Sequence, residues 1–522
     1  MSTATRFRAL AIALAVALAP PAVEKAVAAE RPLKLEQAIA LALERNEGLL
    51  IERESLAAAK ANVTAARGAY DPLLELQGGW QKSVQPANSL FSGAPAGEAA
   101  PEVEGGDAGV SVRQLLPTGG AVSLRARGAR QTTDGSLALL SPAYDTQVGV
   151  ELRQPLLRDL ATDEARLSVR VANAGREGAL ASLRRAVSET VSAVEQAYWT
   201  LVAARLGIEV RDEAVRLAQT QLEETRARVQ SGSVPRTELA QPRAELERRR
   251  GELLAARETL ARAENDLKVL ILDGAGDPLW QETLAPVESV AVEVVPVDVG
   301  AALERALSAR PELAIAEAEV SRRRAEVSFA RNGVWPSLDA VVSYDRFGLA
   351  GSRNPALSSG NPPAVLEGDL GGSFHSLGRG DFDAARVAVV LGLPIVNRTA
   401  RGTAAAAGHV ARQAEADLSR IRKTIRSEVL DAAAAVQTAG QRIDAARSGR
   451  EAAEIQLSSE RDRYATGLST NFLVLTRQND LSRARLDEIS ALTDYRRART
   501  ELARATGSLI EDRGIHGDGA ER

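Results

Sequence analysis

The side chains best suited to chemistry are few in this chain, and they do not converge. Its three histidines, His375, His409 and His516, stand far apart, and none sits in a metal-ligand pattern. Cysteine is absent, which excludes disulfides, thiolate zinc sites, a cysteine nucleophile and an acylated N-terminal cysteine. No glycine-rich phosphate loop and no Gly-x-Ser-x-Gly elbow occurs. Arg379-Gly380-Asp381 spells an adhesion tripeptide, but in a Gly- and Ser-rich stretch so short a match arises by chance. Asn62-Val63-Thr64 and Asn397-Arg398-Thr399 have the form of glycosylation acceptors, yet they fall in or beside helical sequence, which favours structural roles. The many Glu, Asp and Arg residues read as solvated helix faces and i,i+4 pairs. No enzyme activity, metal or cofactor is therefore expected. Net charge is −4 with acids and bases interspersed, so no basic patch points to nucleic acid.

What the chain does build is length. From about Ala161 to Val229 there is no proline, and Leu180, Leu183, Val187, Val191, Val194, Tyr198 and Leu201 recur at threes and fours, the seam of a helix packed lengthwise on another. At 1.5 Å per residue such a rod reaches roughly 100 Å. A second rod follows at Ala400–Tyr464, with Val410, Leu418, Ile421, Ile425, Val429, Ala432, Val436 and Ile443. Aromatics are only 3%, and the Ala-, Arg-, Glu- and Leu-rich composition suits closely packed helices.

The rods belong to a tandem repeat. Leu35–Leu50 resembles Ala301–Leu313, and Ala66-Arg67 through Pro72 resembles Ala330-Arg331 through Pro336, both at an offset of 264 (313 − 49; 336 − 72). Arg226–Gly232 resembles Arg461–Gly467 at 235 (467 − 232), because the segment between the first proline and the rod is shorter in the second half. Two copies of one large unit are implied, not a short-period solenoid. Each copy reads as a helix (Leu35–Arg67; Val299–Arg331), alternating segments, the rod, a Gly turn and a returning helix (Thr237–Leu272; Phe472–Leu509). Pro235 is expected to start the first returning helix, and Ser469 or Thr470 to cap the second. The division is then 1–29, a signal peptide; 30–272, the first repeat; 273–298, a Pro-containing surface linker with at most short structure; 299–510, the second repeat; and 511–522, a loose tail. The signal is read from Arg6 and Arg8, the apolar Ala9–Ala19, and small residues at Ala26-Val27-Ala28 or Val27-Ala28-Ala29.

Between helix and rod the period changes to two. Tyr144, Thr146, Val148, Val150 and Leu152 alternate with Asp145, Gln147, Gly149, Glu151 and Arg153. Leu74, Leu76 and Trp80 alternate with Glu75, Gln77 and Gln81; Leu338, Ala340, Val342 and Tyr344 with Asp339, Ser343 and Asp345; and Val387, Val389, Leu391 and Leu393 with Arg386, Ala388 and Gly392. Strands greasy on one side and polar on the other suit a transmembrane barrel. A soluble sheet over a core shows the same alternation, and the signal peptide and missing cysteines favour the barrel. Gln85–Gly106 and Ala350–Gly380 read as long loops. The first half has an additional hairpin, Gly109–Leu116 and Ala121–Ala129, that either lies outside a barrel wall or enlarges it.

This order, together with Arg463-Tyr464-Ala465-Thr466-Gly467-Leu468-Ser469, Leu393-Pro394-Ile395 and Trp335-Pro336-Ser337-Leu338, resembles the TolC-like outer-membrane factor family over about Leu33–Leu509. The resemblance implies a mixed α and β membrane protein. It would be a homotrimer whose outer-membrane β-barrel, one strand pair per repeat, continues into a long periplasmic α-helical barrel. It implies a passive outer-membrane channel of a tripartite efflux or type I secretion system, exporting small molecules or polypeptides. Its partners would be outer-membrane lipid, a periplasmic adaptor protein, and an inner-membrane pump or ABC transporter. Residue by residue, Thr466, Gly467 and Leu468 match the family's adaptor-docking tip, and Ser231, Gly232 and Ser233 match it only in the glycine. Glu238 stands where the family often carries an acidic periplasmic gate, while the second repeat has Leu473 and Thr476 there. With one Met and three His in the chain, nothing favours copper or silver as cargo. The alternatives are the periplasmic coiled-coil adaptor itself, with one hairpin between small β-domains, and a structural coiled-coil protein of the cell surface.

Overall fold

The computed structural model describes residues 30–86, 93–95, 98, 100–357 and 359–515. The expected signal peptide, His516 and the end of the tail lie outside the described residues. The elements are, in order, β1 (Glu30–Leu33), α1 (Leu35–Arg45), α2 (Glu47–Arg67), β2 (Leu73–Val84), β3 (Glu102–Leu115), β4 (Ala121–Thr133), β5 (Leu140–Pro155), α3 (Glu164–Gln230) and α4 (Ala240–Ile271). They continue with β6 (Thr283–Pro286), α5 (Val299–Ala309), α6 (Pro311–Asn332), β7 (Ser337–Arg353), α7 (Leu370–Arg379), β8 (Phe382–Gly392), α8 (Arg398–Ala465), α9 (Asn471–Thr506) and α10 (Leu509–Asp512). The two rods are α3, 67 residues, and α8, 68 residues. Each is unbroken, as a proline-free run of good helix formers allows.

The chain divides into two compact units, one of 1–49, 188–298 and 431–504, the other of 50–187, 299–430 and 505–522. In the first, the expected seam is the core: Val191, Val194, Tyr198 and Leu201 of α3 are buried, as are Val436 and Ile443 of α8. Tyr198 donates its hydroxyl to the Leu33 carbonyl at 3.0 Å, and Glu195 accepts from Thr500. Tyr495 of α9 packs with Val436, Ala439 and Ile443. In the second unit, Leu183 and Val187 of α3, Ile425 and Val429 of α8, and Val320 and Val327 of α6 are buried.

Two expectations need correction. The helices expected over Leu35–Arg67 and Val299–Arg331 are each two helices, broken at Asn46 and Arg310. These positions obey the repeat offset (310 − 46 = 264), so the break is a property of the repeated unit. Pro311 forces it in the second copy, since the residue before proline is driven to extended backbone and Arg310 has φ −67°, ψ 123°. Arg310 is buried there against Glu312 (2.8 Å), Glu428 (2.9 Å) and the Ala505 carbonyl (3.1 Å). In the first copy Asn46 breaks the run by accepting from the Leu49 amide with its side chain (3.3 Å), a helix cap. The linker 273–298, expected to lie on the surface with at most short structure, is largely exposed and holds one 3-10 turn and the short β6. Its β6 pairs in parallel with β1. Leu284 is buried, and Lys268 donates to the Trp280 and Glu282 carbonyls at 3.2 and 2.6 Å. The stretch expected as the loop Ala350–Gly380 holds the end of β7 and the helix α7.

The six long strands form one antiparallel sheet in the order β2-β3-β4-β5-β7-β8. The additional hairpin β3–β4 occupies the middle of the first half of this sheet, registered against β2 and β5 along its length. β2 and β8 are its edges.

Candidate functional site

The register sorts the sheet into two chemically distinct faces, because side chains alternate sides along each strand. Leu74 pairs with Val112, Val112 with Leu124, Leu124 with Val150, and Val150 with Tyr344. Leu76, Val110, Ala126 and Val148 form the next row, and Leu152, Val342 and Val387 run across the other end. Along these rows the face is apolar, although Arg346 follows Val148 and Lys82, Glu104 and Arg130 share the face beyond them, and water reaches it: Leu76 is 74% exposed, Trp80 67% and Val387 80%. A soluble sheet would bury that face on a core.

The opposite face carries most of the sheet's charges. Arg125 lies 3.5 Å from both Glu151 and Asp345, Arg127 3.4 Å from Asp107, and Arg153 donates to Asp339 at 2.5 Å. Each pair crosses between strands, so a row of alternating charge is fixed at the register itself. Exposed pairs of this kind contribute at most about 1 kcal/mol each. Their weight is in making this face polar and ordered.

Helix α7 lies on the apolar face near the loop end. Asp369 caps it by accepting from the Gly372 amide at 3.1 Å. Ser373 is buried, with its carbonyl 3.2 Å from the Thr146 hydroxyl. The approach requires glycine at Gly348, where a Cβ would collide with the Ser373 carbonyl. The sequence signal was weak, since Leu370-Gly371-Gly372-Ser373 composes like a loop. Gly380 ends α7 in the left-handed region at φ 73°, and Arg379 pairs with Asp381 at 2.8 Å. The adhesion-like tripeptide is a helix stop with its two charges turned on each other.

The two Gly turns at the hairpin ends have the same backbone. Gly232 donates to the Val229 carbonyl (3.1 Å) and Ser233 to Arg228 (2.9 Å); Gly467 donates to Tyr464 (3.1 Å) and Leu468 to Arg463 (2.8 Å). Both are the paired 5→2 and 6→1 bonds of a Schellman cap, with the glycine left-handed at φ 74° and 77°. The first tip, which agrees with the second in sequence only at its glycine, matches it in every backbone bond of the turn. Arg228 stacks on the Tyr464 ring at 4.5 Å, which holds the two tips side by side. Ser231 and Thr466 are exposed, a Cβ on either glycine would meet nothing within 4 Å, and Leu468 is 73% and Phe472 60% exposed.

Beyond the tips the hairpins differ. The expected helix-starting Pro235 instead caps a 3-10 turn, Arg236–Leu239, and α4 begins only at Ala240. Glu238 therefore sits on that turn, exposed to solvent. In the second hairpin Thr470 caps α9, accepting from Leu473 at 3.4 Å, while Ser469 turns back to Glu460. His375 and His409 lie on α7 and α8, remote in sequence from the tips, and no cluster of His, Asp and Glu suited to a metal occurs among the described residues. No helix of the described chain is long and apolar enough to cross a membrane.

These features have close counterparts among solved structures. The Campylobacter jejuni CmeC outer membrane channel is 18% identical, with a TM-score of 0.62 over 91% of this chain and 86% of that one. The outer-membrane channel OprN is 14% identical, with a TM-score of 0.64 over 91% and 90%. The outer membrane protein VceC of Vibrio cholerae is 17% identical, with 0.62 over 91% and 96%. At such identities the likeness shows the fold. No curated protein matches the chain in sequence. The family described as outer membrane efflux protein matches residues 121–271 and 302–508, one segment in each repeat. The chain belongs to the outer membrane efflux protein family: it is a TolC-like efflux channel of the outer membrane, reaching into the periplasm.

Proposed function

We propose that three copies of the chain form a passive conduit from periplasm to exterior, one part of a tripartite efflux or type I secretion system, for small molecules or polypeptides. The observation that carries this reading is the open sheet. One face is apolar and uncovered over most of its extent, the other is charged, and both edges are unpaired. Unpaired strand edges are not tolerated in lipid, so the sheet must close on further copies of itself. Its strand number is even, so β8 of one copy runs antiparallel to β2 of the next under rotational symmetry. The apolar face then meets lipid and the charged face lines the bore. Ile395, 98% exposed beside the periplasmic end of β8, would likewise be covered in the assembly.

The rods, each about 100 Å long, supply the periplasmic reach. The tips Ser231-Gly232-Ser233 and Thr466-Gly467-Leu468 are the surfaces on which a periplasmic adaptor would dock, since their caps leave open space around both glycines and present Leu468 to solvent. The adaptor would link the conduit to an inner-membrane pump or ABC transporter, which supplies the energy. Three Glu238 carboxylates at the periplasmic mouth would focus a negative field on passing ions. Two hairpins and a six-stranded sheet in one chain fit neither an adaptor with a single hairpin nor a bare surface coiled coil.

Negative-stain electron microscopy of the detergent-purified chain tests the proposal. Threefold end views and a detergent belt at one end of a rod of about 100 Å are expected. Beltless monomers would refute it.

A further inference from the structure

We infer that the outer-membrane wall of this channel has six strands from each chain, eighteen in all, and so a barrel about half again as wide between backbone walls as the four-strand pattern of one pair per repeat would make. The inference rests on the three-copy reading above. Its own ground is the hairpin β3–β4.

Three observations place the hairpin in the wall. It is inserted between β2 and β5, and hydrogen-bonded in antiparallel register to both. A flap lying outside the wall would leave β2 and β5 to pair with each other. The hairpin also continues both chemical faces of the sheet: Val110 and Leu124 extend the apolar rows, and Arg127–Asp107 and Arg125–Glu151 extend the charged one. A flap packed on lipid or protein would need only one apolar side. Finally, its strands match the wall in length, 14 and 13 residues beside 12 in β2 and 16 in β5. Peeled away, it would carry unpaired edges into lipid.

The consequence is geometric. Barrel diameter grows nearly in proportion to strand number. With strands about 4.8 Å apart and tilted about 40°, eighteen strands (three times six) enclose about 36 Å between backbone walls, against about 24 Å for twelve. Subtracting a side-chain layer of about 5 Å on each side leaves about 26 Å against about 14 Å. The outer-membrane segment of this conduit therefore passes bulky cargo, and selection by size falls to its periplasmic mouth.

Cryo-electron microscopy of the full chain in lipid nanodiscs decides the count. A threefold map with eighteen strands and about 36 Å between walls is expected. A threefold map with twelve strands and the hairpin outside overturns the inference and leaves the conduit standing. Particles without threefold symmetry overturn both. A second measurement reports on the hairpin alone, and the cysteine-free chain makes it clean. Leu76→Cys with Val110→Cys, and Leu124→Cys with Val150→Cys, pair across β2–β3 and β4–β5. Both pairs should oxidise within one chain in isolated outer membranes; failure of both removes β3–β4 from the wall whatever the symmetry.

Discussion

A graded substitution at Gly467 separates turn geometry from docking. The residue is left-handed at φ 77°, so any side chain there incurs the cost of a Cβ in that region, about 1–2 kcal/mol. The cost is set by the Cβ, so Gly467→Ala and Gly467→Leu weaken the cap nearly equally. Apart from its chain neighbours nothing lies within 4 Å of the added Cβ, so a leucine side chain starts out from open space. The free protein should therefore not distinguish the two variants, and both should form trimers that withstand extraction. A partner seated on the tip would distinguish them. Forcing extra methylenes into a packed contact costs about 1–3 kcal/mol, a roughly fivefold to hundredfold loss of affinity, and it recurs at each of three tips. Export should then survive in the alanine variant and fail in the leucine variant. Cellular efflux of a dye, with native-gel trimer content and crosslinking to the adaptor alongside, reads this out. Wild-type export by Gly467→Leu would sink the docking role. Equal failure of both variants would assign the whole effect to the cap. Gly232, with the same cap, should behave in parallel.

Other outcomes follow from single contacts. Glu238→Gln keeps the size of the exposed side chain and removes its charge. Single-channel recordings should show reduced cation preference, and an unchanged preference would discard the gate. Gly348→Val drives a side chain into the Ser373 carbonyl. It should dislodge α7 from the sheet, because the Thr146 hydroxyl loses its bonds to Ser373 and keeps only the Gly348 carbonyl, cost about 0.5–1.5 kcal/mol per hydrogen bond lost, and open residues 359–381 to protease, while the rods stay intact by circular dichroism. On α6, hydrogen bonds from Arg322 and then Arg323 hold the Glu319 carboxyl below the usual carboxylate range. A depressed carboxyl stabilises the fold above its unfolded pKa, and that share is lost as pH falls through the folded value. Glu319→Gln should thus lower thermal stability at pH 7, by no more than about 1 kcal/mol because the group is partly exposed. The difference should shrink as pH falls through the folded value, and a pH-independent difference would refute the assignment.

The fold was legible wherever periodicity is local. The rods declared themselves through apolar residues every three or four positions, and those seam residues from Leu183 to Leu201 are buried. The strands showed through alternation, and the repeat through two offsets, the larger of which the breaks at Asn46 and Arg310 obey. The Gly467 tip stood out by its motif. The Gly232 tip did not, because a Schellman cap is made of backbone bonds and requires little beyond the glycine.

The remainder depended on contacts between residues far apart in the chain. The glycine-rich α7 is a helix because Thr146 and Gly348, each more than 20 residues away, give it a surface to lie on. The proline-bearing linker forms a strand at β6 because β1, some 250 residues earlier, offers it an edge. Alternation shows that a segment is a strand but not which strand lies beside it. Whether β3–β4 stood in the wall or outside it was therefore open in the sequence. Registered hydrogen bonds to β2 and β5 settle its place in the sheet, because pairing is made between backbones, and cross-strand pairs such as Arg127–Asp107 and Arg125–Glu151 can be recognised only once the register is known.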